Sequence, residues 1–211
     1  MLSHGLECHR SAANRKTDVS AVVLAGGDSS RFGTNKLHAN LCGKTLLEHV
    51  LRALTPVGFR EIIVVVNGYQ NIPGVKFVRE REHTIFSAII TGIQESASDR
   101  IFLTAGDMPF LNPHAIIKQI DAAAYSIPVW QNGNTEPFHS VVSGHIVEFL
   151  QHPMRLSRAI LASGSIKIPA EDFPEHVFFN VNTRKDLETA CRIWNEKNAR
   201  NSPISPSQVR L

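Results

Sequence analysis

The sequence predicts an α/β fold, an open and mostly parallel sheet covered by helices on both faces. Three observations carry this. Short runs such as VSAVVLAGG (19–27) and REIIVVVNG (60–68) are apolar at nearly every position, which marks strands buried on both faces. Segments with apolar residues at helical spacing alternate with them. The glycines, basic residues and acidic residues that could do chemistry fall where the strands end, and ligands bind there in such sheets.

Each element has its own signal. The first strand, 19–27, is β-branched and stops at two glycines. Leu46, Leu47, Val50, Leu51 and Leu54 then recur at helical spacing. The second strand, 60–68, ends in Asn-Gly, and VKFVRE (75–80) is a short third one. IFSAIITGIQESA (85–97) reads as an amphipathic helix, and DRIFLTAGDMPF (99–110) as a fourth strand running into a loop. Asn112 N-caps a helix over 112–124, with Pro113 at its first position. SIPVW (126–130) and FHSVVSG (138–144) follow as strands, HIVEFLQHP and RLSRAILAS as short helices, and Phe178–Val181 as a final strand. Thr183 caps a last helix from about 184 to 197, with Asp186 in its first turn. The polar, patternless residues 1–17 and 199–211 read as tails around one domain at 18–198.

Composition narrows the function classes. A chain of 211 residues that is 43% hydrophobic can fill a core, so full disorder is excluded. No apolar run reaches membrane-spanning length, and the N-terminus has no secretory apolar region. The net charge of +3 is too mild for nucleic acid as main partner but suits an anionic small molecule. Cys8, Cys42 and Cys191 are odd in number and far apart, which argues for a reducing, cytoplasmic setting without a disulfide framework.

Three motifs bear on chemistry. The first strand ends in Leu24-Ala25-Gly26-Gly27, followed by Ser29, Ser30, Arg31, Gly33 and Lys36. Glycines let a phosphate approach backbone N–H groups, and Arg31 and Lys36 offset the roughly four negative charges of a triphosphate. The spacing fits neither GxGxxG nor GxxxxGK[ST], so the dinucleotide and P-loop readings fail. In the second motif, Asp107 directly follows the fourth strand, between Gly106 and Pro109. One carboxylate there suits Mg²⁺, a hard cation that keeps waters and takes phosphate oxygens from a substrate; a turn-closing Asp is the alternative. The third is Asn180-Val181-Asn182-Thr183, whose amides in an extended segment face one way and suit a phosphate, a metal-bound water or a polar heterocycle. Local turn closure is the alternative. His139 is a candidate acceptor contact or a core histidine, and Trp130 and Trp194 read as packing residues. The basic N-terminal arm reads as a tail or a partner contact.

Taken together, LAGGxSxRFGxxK, AGDMPF and FxNVNTxxDL resemble the molybdenum cofactor guanylyltransferases of the MobA type, over about residues 20–195. The resemblance implies a three-layer, Rossmann-like and GT-A-like nucleotidyltransferase fold. It implies transfer of GMP from GTP to the molybdopterin-bound molybdenum cofactor, with release of pyrophosphate and a requirement for Mg²⁺. Cofactor-delivery proteins are then candidate partners. By position, Leu24, Ala25, Gly26, Gly27, Lys36, Asn67 and Glu80 would bind GTP, and Asp107 would bind GTP and the metal. Lys36, Arg31 and Asp107 would be catalytic, and Asn180 and Asn182 would face the acceptor. The chain departs from the family pattern at Asn35, where Asp is usual, and at Glu80, where the guanine-reading acid is commonly Asp. Ser87–Gly92 replaces a Gly-Pro-Leu-Ala-Gly stretch, and Arg184-Lys185 follow NVNT in place of Pro-Glu. Two alternatives stay open: a related nucleotidyltransferase using CTP or another phosphorylated acceptor, and a catalytically silent nucleotide-binding adaptor.

Overall fold

The computed structural model describes residues 16–26, 38–67, 72–82 and 84–201. Strand β1 (Val19–Leu24) is buried at every position. A two-residue hairpin, β2 (Asn40–Leu41) and β3 (Lys44–Thr45), leads into helix α1 (Leu46–Leu54). Thr45 and Glu48 form a reciprocal capping box, each side chain accepting the other's backbone N–H, at 3.2 and 2.6 Å. The five apolar residues whose spacing predicted α1 are all buried. Next come β4 (Ile62–Val66), β5 (Lys76–Arg79), α2 (Ile85–Gln94) and β6 (Arg100–Ala105). Helix α3 (Pro113–Ala122) starts where Asn112 Oδ1 accepts the Ala115 N–H at 3.1 Å, as its cap residues predict. The remainder is β7 (Ser126–Val129), β8 (His139–Ser143), α4 (Ile146–Leu150), α5 (Leu156–Ala162), β9 (Ile166–Pro169) and α6 (Arg184–Asn201).

Seven strands form one sheet in the order β5-β4-β1-β6-β8-β7-β9, with β8 alone antiparallel to its neighbours. Side chains of a strand alternate between faces, and β1 divides accordingly. Val19, Ala21 and Val23 pack with Leu47, Val50 and Leu54 of α1 and Ile116 and Ile120 of α3. Val22 and Leu24 pack with Ala88, Ile89 and Ile93 of α2, Ile146 and Leu150 of α4 and Ile160 of α5. The result is the expected three-layer α/β/α sandwich. Gly92 sets how closely α2 approaches the sheet, since a Cβ there would lie 2.5 Å from Val22 Cγ1 and 3.0 Å from Val65 Cγ2. A smaller cluster joins α6 to the rest: Leu41, Leu46, Phe110, Val181 and Ala190. Among the described residues, no helix is long and apolar enough to cross a membrane.

The structure corrects the sequence reading in three places. Phe178–Val181 is not a strand: a 3-10 turn covers Glu175–Phe178, and the chain then runs extended outside the sheet. The aromatic residues there serve packing instead, Phe178 against Trp130 and Phe173, and Phe179 against Phe110. Strand β9 and the β2–β3 hairpin were not anticipated. The last helix extends to Asn201, past 197, and its Thr183 cap is present, with Thr183 Oγ1 accepting the Asp186 N–H at 3.2 Å.

His139 is a core residue rather than an acceptor contact. It is fully buried, with its ring edge-on to Phe102, Phe173 and Phe178. Its Nδ1–H donates to Gln119 Oε1 at 2.9 Å, while Gln119 Nε2 donates to Ser126 Oγ and to the His139 carbonyl. Burial lowers its pKa to about 4.

Two consequences can be measured. The unfolded chain binds the His139 proton near pH 6.5 and the folded chain only near 4. Stability from this residue is therefore complete above about 6.5 and is lost as pH falls towards 4, by about 3 kcal/mol in all. Urea unfolding across that range should show His139→Gln losing correspondingly less stability than the parent on acidification. Gly92→Ala should cost about 1–3 kcal/mol by overpacking against Val22 and Val65, read as a lower urea midpoint.

Candidate active site

Parallel pairing of β5, β4, β1 and β6 brings the carboxyl ends of four strands to one edge. Leu24 and Ala25 are held there by backbone bonds. The Ala25 N–H donates to the Val65 carbonyl at 2.8 Å, and the Leu24 carbonyl accepts the Gly106 N–H at 2.9 Å. Asn67 lies just past β4 and Glu80 just past β5, where the Glu80 N–H donates to the Val66 carbonyl at 2.9 Å.

The strand order puts Glu80, Asn67 and Gly26 in a row, and the side chains of Glu80 and Asn67 converge on Gly26. The Glu80 carboxylate occupies the space where a Cβ on Gly26 would stand, and Asn67 Oδ1 would lie 3.4 Å from that Cβ. A residue with a Cβ there would displace this carboxylate. Glu80 is half-buried and Asn67 exposed, so one polar wall is in reach of a ligand at the strand ends. In the sequence Glu80 sits in the charged run Arg79-Glu80-Arg81-Glu82, which reads equally well as a solvated surface.

The second wall forms beyond β6. Asp107 is buried, 8% exposed, and its backbone carbonyl accepts the Val181 N–H at 2.9 Å. That bond lays the Asn180–Asn182 segment beside the acidic turn, so the second and third motifs meet although 73 residues separate Asp107 from Asn180. Asn180 is half-buried and its Nδ2 donates to the Phe178 carbonyl at 3.3 Å. Asn182 is exposed, and its N–H donates to Asp186 Oδ2 at 3.0 Å. Gly27, Arg31 and Lys36 lie outside the described residues.

The donor set favours a hard cation. Among the described residues, no group of three or more His, Cys, Asp or Glu side chains is placed to hold a metal. That excludes a protein-only cage built from them. Asp107 remains, a carboxylate fixed through its own backbone at the strand edge. It fits a cation that takes one carboxylate and completes its shell with water and phosphate oxygens.

Glu136 and Lys197 are further perturbed groups. Burial raises the Glu136 pKa while its carboxylate accepts the Trp130 indole N–H at 2.7 Å. Lys197 stands 2.6 Å from His176 Nε2 and over the Phe110 ring, and burial lowers its pKa. It lines a cavity of about 670 Å³ with His176, Phe178, Phe179 and Ile193. Glu136 opens the segment Glu136-Pro137-Phe138-His139, which resembles a family segment of Pro-x-His type, whereas no sequence motif singles out Lys197.

Comparison with known proteins shows the family and the fold. A probable molybdenum cofactor guanylyltransferase from Thermococcus kodakarensis is 33% identical over 188 residues, covering 79% of this chain and 90% of that protein. One from Thermococcus sibiricus is 31% identical over 186 residues, covering 79% and 94%. Among solved structures, a molybdopterin-guanine dinucleotide biosynthesis protein A from Archaeoglobus fulgidus superposes with a TM-score of 0.67 at 21% identity, covering 84% of this chain and 99% of that one. A 4-diphosphocytidyl-2C-methyl-D-erythritol synthase from Anaerococcus prevotii superposes with a TM-score of 0.62 at 14% identity, covering 84% and 98%. The architecture is thus common to proteins named for different nucleotides. The model of the MobA-like NTP transferase domain matches residues 21–166, from inside β1 to the start of β9, and the chain belongs to that family.

Proposed function

We propose that this protein transfers GMP from GTP to the molybdopterin-bound molybdenum cofactor, releasing pyrophosphate. The observation that carries the reading is the carboxylate of Glu80 set against Gly26 at the strand edge, within a chain of this family. Guanine offers N1–H and its 2-amino group as adjacent donors, and one carboxylate accepts both. Cytosine has no such pair. Leu24, Ala25, Gly26 and Gly27 would line the nucleotide, with Asn67 beside it.

The acceptor's terminal phosphate oxygen attacks the α-phosphorus in line, and pyrophosphate departs. A phosphate monoester with a second pKa of about 6 is largely ionised at neutral pH, so no strong protein base is required. Catalysis then rests on positioning and on offsetting charge. Lys36 and Arg31 would stabilise the phosphates and the leaving group. Asp107 would hold Mg²⁺, which supplies positive charge to the phosphate oxygens. Asn180 and Asn182 flank Val181, whose N–H meets the Asp107 carbonyl, and would orient the acceptor there. A protein that hands over the pterin is the partner this reading implies, and the cytoplasm its setting.

The test is a transfer assay with purified protein, GTP or CTP, Mg²⁺ and molybdenum-loaded molybdopterin, following pyrophosphate release and the dinucleotide product. GTP should be preferred by at least about a hundredfold. Equal or faster transfer from CTP would overturn the guanylyl assignment. Lys36→Ala should lower turnover by about a hundredfold, as for loss of one preorganised donor. Asp107→Asn should lower it similarly and shift the Mg²⁺ titration to higher concentration; an unchanged titration would remove Asp107 from the metal site.

A further inference from the structure

Cys42 occupies the turn of the β2–β3 hairpin, and Cys191 lies on α6, 149 residues later. Cys191 is close enough to Cys42 to act, after burial, on its thiol and push its pKa up. Cys42 Sγ also stands 3.9 Å from Asn195 Oδ1, and Asn195 is one helical turn beyond Cys191 on the same side of α6. Both cysteines are free; Cys42 is exposed and Cys191 half-buried.

The backbone shows how Cys42 is presented to α6. Cys42 has φ +50°, the only positive φ outside glycine among the described residues. Residues with a Cβ rarely adopt this region, and Asn or Asp are the usual exceptions. Gly43 is also at positive φ, so the pair forms the tight turn of the hairpin, and that turn brings the Cys42 sulfur to Asn195 on α6.

We propose that Cys42 and Cys191 are a modification site, forming a reversible disulfide by exchange with a low-molecular-weight disulfide such as oxidised glutathione. The thiolate of Cys42, the more exposed of the two, attacks one sulfur of the reagent, and one glutathione thiolate leaves. The Cys191 thiolate then attacks Cys42 Sγ, and the second glutathione leaves. Two protein thiols are oxidised, one small disulfide is reduced to two thiols, and the two protons go to the leaving groups. Burial first, and Cys191 second, hold the Cys42 thiol above its ordinary pKa. The first attack is therefore slow near neutral pH, suiting a response to sustained oxidation.

The bond would sit on the rim of the cluster formed by Leu41, Leu46, Phe110, Val181 and Ala190, which Cys191 joins. Phe110 closes the turn that carries Asp107, and Val181 holds the Asp107 carbonyl. Oxidation thus fastens α6 to the hairpin that opens α1 and fixes the elements packed around the acidic turn.

The test uses the full chain carrying Cys8→Ser, reduced, freed of reductant and incubated with oxidised glutathione. The expected product is lighter by two hydrogen atoms, with a peptide joining Cys42 to Cys191. Its Tm should rise by about 5 °C or more, because a long loop is closed in the unfolded chain. Dithiothreitol should reverse the mass change and the Tm shift. Cys42→Ser and Cys191→Ser should each abolish the link. Peptide mapping of the parent chain reads the same link should Cys8→Ser fold poorly. A stable glutathione adduct without the cross-link, a dimer joined through Cys42, or no reaction would each overturn the proposal.

Discussion

The structure depends on one constraint, the burial of β1 on both faces between two parallel neighbours. With no water to pair its backbone, the N–H and C=O groups of that strand are met by β4, by β6 and, at its start, by Thr17, Arg60 and Glu61. Parallel pairing sends the chain out of all these strands at the same edge, and β5 joins in the same sense. The residues that follow each strand are thereby collected, whatever their distance in sequence. Gly26, Asn67, Glu80 and Asp107 come from four segments and share one edge for that reason.

Two different forces then shape the two walls of the site. On one side it is the absence of an atom. A Cβ on Gly26 would meet the Glu80 carboxylate, so the glycine makes room for an acid at the end of β1. On the other side it is a single backbone bond, Val181 N–H to Asp107 carbonyl, backed by the cluster that seats α6. The first wall is set by sheet register and is as rigid as the core. The second rests on a smaller cluster, which Cys191 joins.

Much of this was legible in the sequence, for identifiable reasons. Strands β1, β4 and β6 announce themselves because both faces are buried, and α1 and α3 because spacing and caps agree. Strand β9 was missed because it lies at the sheet edge, where Ile166, Lys167 and Pro169 are exposed and no apolar run marks it. The opposite error arose at Phe178–Val181, where aromatic residues imitate a strand. Pro174 and a 3-10 turn precede it, and the rings pack sideways instead. Asp107 was visible as the acid after a buried strand. Glu80 was not distinguishable from its charged neighbours by pattern, and only its family position singled it out. Nothing in the sequence could bring Cys42 to Cys191, since their meeting depends on how α6 docks.

On the proposed function, Glu80, held against Gly26, reads the base. Isothermal titration of the protein with GTP, inosine triphosphate and CTP in the presence of Mg²⁺ tests it most directly, because inosine lacks only the 2-amino group. GTP should bind about ten- to a hundredfold more tightly than inosine triphosphate, the value of one hydrogen bond to a charged acceptor. Glu80→Ala should abolish that difference. Equal binding of GTP and inosine triphosphate by the parent chain, or a preference for CTP, would contradict the account.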